Sequence, residues 1–287
     1  MYPPPLPPSG SVEVPGRGAM WVYDSGGDLP PVVLLHGWTS TAALNWSATM
    51  GPLATTARVI APDHRGHGRG LRTRNFSLEQ CADDVAALIE ALGVGPAVVV
   101  GYSMGGPIAM LTWRRHPGAV AGLVLCATAA RFGRRSDLAP AVTAVGRGLS
   151  LLLAAMPRRW HAGALTRAIE ARDPDPDRAR WVISEQRRND PGALVQAAAA
   201  LNAFDARPWL AEVDVPTTVV VTARDETVSP GAQRRLAAAI AGAEVVSIPA
   251  GHRAAAESPG RFVPALRDGI ASVWGRAGLP QQATTTP

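Results

Sequence analysis

The sequence predicts an α/β protein: a mostly parallel sheet with helices on both faces and a helical insertion. Three observations carry this. Apolar runs such as PVVLLHG (31–37) and AVVVGYS (97–103) are continuous instead of alternating, as expected of strands buried on both faces. Helical patterns separate these runs, so neighbouring strands must run parallel. The rhythm breaks once, between residues 131 and 210, and then resumes.

In chain order, MYPPPLPPSG has five prolines in its first eight residues. It suits a disordered or polyproline arm over residues 1–10 and lacks the basic start and apolar run of a signal peptide. SVEV (11–14) and AMWVYD (19–24) read as an antiparallel pair turning at Pro15 and Gly16. PVVLLHG and RVIAPD (58–63) follow as buried strands. Ser77 is the expected N-cap of LEQCADDVAALIEALG, with Gln80 three residues on as in a capping box and Gly93 as the stop. AVVVGYS is strand to turn, MGGPIAMLTWRRHP helix, and AVAGLVLCAT (119–128) strand. Residues 131–210 show no convincing strand, and Pro140, Pro157, Pro174, Pro176 and Pro191 interrupt their helix-like segments. PTTVVVTA (216–223), a helix over 229–242, EVVSIP (244–249) and a last helix over 258–275 restore the alternation. The expected organisation is an α/β core over 11–130 and 211–278, a helical lid over 131–210 and a disordered tail over 279–287.

Composition narrows the chemistry. All 28 basic side chains are arginine and none is lysine. This excludes the P-loop lysine, a Schiff-base lysine and the Ser-x-x-Lys hydrolases. The net charge of +5 is localised: residues 131–210 hold 13 arginines against 8 acidic residues, and the remainder balances at 15 of each. No helix-turn-helix, zinc or RNA-recognition motif accompanies it, so no nucleic-acid partner is expected. Cys81 and Cys126 lie far apart in apolar segments and read as buried thiols of a cytoplasmic protein. No run approaches the roughly 18 apolar residues of a membrane span.

One set of residues completes a chemistry. Gly101-Tyr102-Ser103-Met104-Gly105 has the form G-x-S-x-G and joins a strand to a helix, the context of a nucleophile elbow. A serine hydroxyl needs a base. Among six histidines, His252 lies in the loop after the last strand, where sites of parallel sheets gather. His36, His64 and His67 occupy loops at the same face, His116 ends a helix, and His161 lies in the insertion. The chain order serine, acid, histidine favours His252. Asp225, first after the strand TTVVVTA, is the expected acid, ahead of its neighbour Glu226. Two backbone N–H groups should stabilise an oxyanion. Met104 supplies one and Trp38, after PVVLLHG, the other. His36 is read as a brace of that loop.

In order and spacing, LLHGW, DHRGHGRG, GYSMGG, TARDETVSP and AGHRAAAESP resemble the α/β-hydrolase fold superfamily over residues 20–130 and 211–275. The resemblance implies Ser103, Asp225 and His252 as triad and the Trp38 and Met104 amides as oxyanion hole. It implies that Asp63, Arg65, Gly66 and Gly68 form a structural loop. Gly70 departs from the pattern, where a small hydroxyl residue often stands. Serine at 103 sets the chain apart from the dehalogenase and epoxide-hydrolase branches, which use aspartate there.

The expected function is hydrolysis of a carboxylic ester (a small or medium acyl ester, lactone or monoacyl lipid) through an acyl-enzyme, with no metal or cofactor. Cofactor-free perhydrolysis, C–C bond hydrolysis and a low-turnover ligand-binding role share the same residues. Trp38, Tyr102, Leu152, Met156 and Trp160 are the candidate pocket residues. GLSLLLAAMPRRW (148–160) has two readings: lid packing, or an acyl pocket and weak membrane-surface contact through Arg158, Arg159 and Trp160.

Overall fold

Eight strands form one sheet in the order β1-β2-β4-β3-β5-β6-β7-β8. The structure, a computed structural model, describes residues 2, 4–132, 166, 169–171 and 173–279. β1 (Ser9–Val14) and β2 (Gly18–Asp24) are the antiparallel pair, and β2 also runs antiparallel to β4 (Arg58–Pro62). β3 (Pro31–Leu35), β5 (Ala97–Tyr102), β6 (Val120–Cys126), β7 (Thr217–Thr222) and β8 (Glu244–Ile248) run parallel to their neighbours. β3 is followed on one side by β4 and on the other by β5, so the strand order reverses between β3 and β5. The loops leaving these two strands open the crevice where sites of such sheets form.

Side-chain alternation along the strands builds two cores. Val33, Leu35, Val99, Leu123, Leu125 and Val219 face α2 (Leu78–Ala91), α3 (Gly105–Arg115) and α6 (Pro230–Ala238). Val32, Leu34, Val98, Val100, Val124 and Val220 face α1 (Ala42–Leu53), the short α7 (Ala254–Glu257) and α8 (Pro259–Arg276). Both thiols are buried and unbridged. No described helix is long and apolar enough to cross a membrane.

Ser77 caps α2 as expected, accepting from the Gln80 N–H at 3.1 Å. The reciprocal half of the box is absent, because the Gln80 carbonyl accepts from Arg65 instead. α1 is an element that the sequence pattern did not mark.

Two expected boundaries move. β1 starts inside the segment expected to be a disordered arm. Ahead of it, the Pro8 carbonyl accepts from Asp24 N–H at 2.9 Å, Leu6 packs on the core, and the Tyr2 ring lies 5.8 Å from that of Trp181. Leu6 and Tyr2 thus tie this segment to the folded chain. The chain rejoins the core before residue 210, the expected end of the lid. Arg131 and Asp205 form an isolated antiparallel bridge, Ala206 N–H donates to Ala130 O at 2.8 Å, and Phe204, Trp209 and Leu210 already belong to the core.

The described part of the insertion, hereafter the cap, is helical. α4 (Pro176–Gln186) and α5 (Pro191–Ala203) each start with proline at the first turn and an aspartate cap, Asp175 and Asp190. Leu152, Met156, Trp160 and the run 148–160 lie outside the described residues.

Candidate active site

Ser103 stands directly after β5 with φ of +52°, a conformation that disfavours side chains and is kept where the surroundings force it. Those surroundings are explicit. Ser103 N–H donates to Cys126 O at 2.9 Å, while its carbonyl accepts from Gly106 N–H at 2.9 Å and from the Thr128 hydroxyl at 2.8 Å. A Cβ at Gly101 would overlap the Gly105 backbone, and one at Gly105 the Leu35 backbone. The chain can therefore turn from strand into helix only with glycine on both sides of the serine. No side chain caps α3. The positive end of its dipole therefore falls at Ser103.

The loops after β7 and β8 bring the other two residues to it. His252 Nε2 lies 3.1 Å from Ser103 Oγ, and His252 Nδ1 lies 2.8 Å from Asp225 Oδ2. With the carboxylate ionised, Nδ1 carries the proton and donates to it, leaving Nε2 to accept from the serine hydroxyl. Asp225 is 5% exposed and accepts from four further donors: Thr227 and Val228 N–H, Thr222 Oγ1 and Gln233 Nε2. Burial alone would raise its carboxyl. The hydrogen bonds from His252, Val228 and Thr222 and the facing His252 charge outweigh that and hold it below the usual carboxylate range. Glu226 is exposed and is not among the partners of His252.

Trp38 and Met104 flank Ser103 from β3 and α3. Gly37 closes onto the serine, and a Cβ there would sit 3.4 Å from Ser103 Cβ. Gly37 N–H donates to Asn45 Oδ1 at 3.0 Å. Among the described residues, neither the Trp38 nor the Met104 backbone N–H has a protein acceptor. His36 braces the loop. Its Nδ1 donates to Gly37 O at 2.9 Å and its Nε2 accepts from His64 N–H at 3.0 Å. Burial pushes its imidazole down to about 4, against the smaller upward pull of the Gly37 bond.

Two candidate pocket residues are placed in detail. Trp38 is 42% exposed, and its indole N–H donates to Leu194 O of α5 at 2.9 Å, clipping the cap to the core. Tyr102 lies beneath the site. It is 4% exposed, packs edge-on against Trp46 and Phe262, and donates its hydroxyl to His252 O at 2.6 Å. Strand alternation puts it on the face of Val98 and Val100, packed into the core under the site. That signal was present in the sequence. Asn45, Glu185 and Asn189, which support the Trp38 loop, belong to no motif.

In the DHRGHGRG loop, Asp63 accepts from Ala42 N–H at 2.7 Å and Arg69 N–H at 2.8 Å, and Arg65 grips Asp84 of α2 with two bonds of 2.7 and 2.6 Å. Gly70 is explained by space, since a Cβ there would overlap the His64 carbonyl and lie 2.5 Å from that of Asp63.

A sheet reversing at β3/β5, a serine on a strained turn after β5 and an imidazole and carboxylate from the last two strand loops define a class. The chain belongs to the alpha/beta hydrolase fold family, whose pattern it matches over residues 30–259. It is similar to the pimeloyl-[acyl-carrier protein] methyl ester esterases of Neisseria meningitidis and Chromobacterium violaceum. The first is 30% identical over 201 residues, covering 69% of this chain and 77% of the relative. The second is 32% identical over 228 residues, covering 78% and 87%. Among solved structures it resembles a thermophilic esterase from Thermogutta terrifontis, with a TM-score of 0.74 and 27% identity over 93% of this chain and 99% of the other. Its homologues are esterases and related hydrolases.

Proposed function

We propose that this protein is a serine hydrolase of carboxylic esters, acting on a small or medium acyl ester, lactone or monoacyl lipid. The observation that carries the reading is the continuous path Ser103 Oγ to His252 Nε2, and His252 Nδ1 to Asp225. Ser103 Oγ attacks the ester carbonyl as His252 Nε2 takes its proton, and Asp225 stabilises the imidazolium. The carbonyl oxygen, now negative, is held by the Trp38 and Met104 amides. The C–O bond to the alcohol breaks as His252 returns the proton to it, leaving an acyl-serine. Water, deprotonated by the same imidazole, attacks the acyl carbon, and the acid leaves as Ser103 regains its proton. The esterase relatives support a carboxylic ester as the bond cleaved.

The test is labelling by a fluorophosphonate probe followed by turnover of a chain-length series of p-nitrophenyl esters, with Ser103→Ala alongside. The reading expects labelling at Ser103, turnover on at least one ester, and loss of both in the variant. Turnover retained by Ser103→Ala overturns it. Labelling without turnover on any ester turns it toward a ligand-binding protein or a non-ester substrate.

A further inference from the structure

The three groups of the site are anchored differently. Ser103 is held by Cys126, Gly106 and Thr128, and His252 by Asp225 and Tyr102, all within the core. The loop over residues 37–41 is the exception, because three of its residues are tied to the cap. Trp38 donates its indole N–H to Leu194 O at 2.9 Å. Thr39 O accepts from Asn189 Nδ2 at 3.4 Å. The Thr41 hydroxyl, which also caps α1, donates to Glu185 Oε2 at 3.2 Å.

These ties meet a strained loop. Thr39 has φ of +58°, an outlier for a β-branched residue, which persists only where the surroundings over-determine it. Asn189 is suited to impose it. It is 6% exposed, and its amide is bonded at both ends. Oδ1 accepts from Gly68 N–H at 2.8 Å, while Nδ2 donates to Thr39 O and to Gln186 Oε1. Asn189 therefore stitches the DHRGHGRG loop to the Trp38 loop. Glu185 is 3% exposed and fixed by Arg188 at 3.0 Å and Arg69 at 3.3 Å, so the acceptor offered to Thr41 is itself immobile.

We infer that Asn189, with Glu185 behind it, is a positioning residue for oxyanion stabilisation: the turn between α4 and α5 sets the backbone of residues 38–41. The Trp38 N–H is aimed only while this limb of the cap is seated. The inference rests on the esterase reading above. Because the cap holds this loop and neither Ser103 nor His252, unseating it should lower the rate of the chemical step without weakening ester binding or moving the pH profile of kcat.

The experiment compares Asn189→Ala and the isosteric Asn189→Asp with Gln186→Ala, on the whole chain. Asp keeps the acceptor for Gly68 and loses the donor to Thr39. Gln186 shares the Asn189 amide without touching the loop. Each is assayed for kcat and KM on the best p-nitrophenyl ester, for the fraction of active sites by burst titration, and for inhibition by an alkyl trifluoromethyl ketone, whose serine adduct places an oxyanion in the hole. Both Asn189 variants should lose about 10- to 100-fold in kcat, the scale of a misplacement near 1 Å. KM and active fraction should stay within about twofold and ketone affinity should fall in parallel, with Gln186→Ala near wild type. A kcat within about twofold of wild type in both variants overturns the inference. So does a loss confined to KM or active fraction, or one without a fall in ketone affinity. Turnover by Ser103→Ala is a separate result and removes the esterase reading itself.

Discussion

The Tyr102 hydroxyl donates to the main-chain carbonyl of His252 at 2.6 Å, joining the residue before Ser103 to the loop that carries His252. The phenol ring, wedged between Trp46 and Phe262, cannot shift without moving the core on that face. This bond and the Asp225 carboxylate together hold the imidazole beside Ser103.

Tyr102→Phe keeps the ring packing and removes the bond. A net hydrogen bond of about 1 kcal/mol corresponds to roughly a two- to tenfold fall in kcat, with the melting temperature lowered by only a few degrees. Steady-state ester kinetics and a thermal melt check this, and an unchanged kcat would mean that the loop is held by other contacts.

Asp225→Asn should be far more severe. An amide in place of the carboxylate favours the wrong imidazole tautomer and removes the charge facing His252, which costs on the order of 10⁴-fold in kcat in triads of this kind. Glu226→Gln, at the exposed neighbour, should leave kcat within about twofold. Measuring both variants separates the two acids, and the opposite ranking would exchange their roles.

Acid should destabilise the fold through the histidines beneath the Trp38 loop. The His36 ring lies 4.2 Å from that of His64 and 5.4 Å from that of His67. Burial pushes His36 down to about 4 and His67 to about 3, and His64 falls well below its ordinary value; the neighbouring His36 adds to the last two. In the unfolded chain these rings protonate near pH 6.5. As pH falls below that value, the unfolded chain takes up protons that the native state refuses. The stabilisation is thus complete above about pH 6.5 and is lost progressively toward pH 4 and below, by roughly 3 kcal/mol for His36 alone. Asp63, raised by burial, opposes part of the loss. Urea midpoints from pH 7.5 to 4 should fall steadily, and a flat series would contradict the burial of these rings as neutral groups.

Gly70→Ser restores the residue that often ends this loop pattern. Here its Cβ would overlap two main-chain carbonyls, His64 and Asp63, which cannot move like the end of a flexible side chain. Overpacking of this kind costs about 1–3 kcal/mol, so a drop in the urea midpoint is expected. Equal or greater stability would show that the loop re-forms around the hydroxyl.

The sheet was legible because β3, β5 and β7 are covered on both faces and read as unbroken apolar runs. Ser103, Asp225 and His252 could be singled out because Ser103 directly follows β5 and the other two lie in the loops after β7 and β8. α1 was not legible. Its buried face mixes Asn45 and Thr49 with Trp46 and Met50, and Pro52 interrupts its last turn. The polar positions blur the helical period, and one of them, Asn45, is buried to hold Gly37. The supports from Glu185 and Asn189 were invisible for a different reason. They lie 144 and 150 residues from their partners Thr41 and Thr39, and no local spacing encodes a bond of that range.

The bridge between Arg131 and Asp205 brings the chain back to the point where it left the sheet. A segment whose two ends meet can be exchanged for another of different length without moving any strand. Residues 132–204 are in that sense a cassette. Any segment joined at these two positions would have to keep an asparagine where Asn189 meets Thr39.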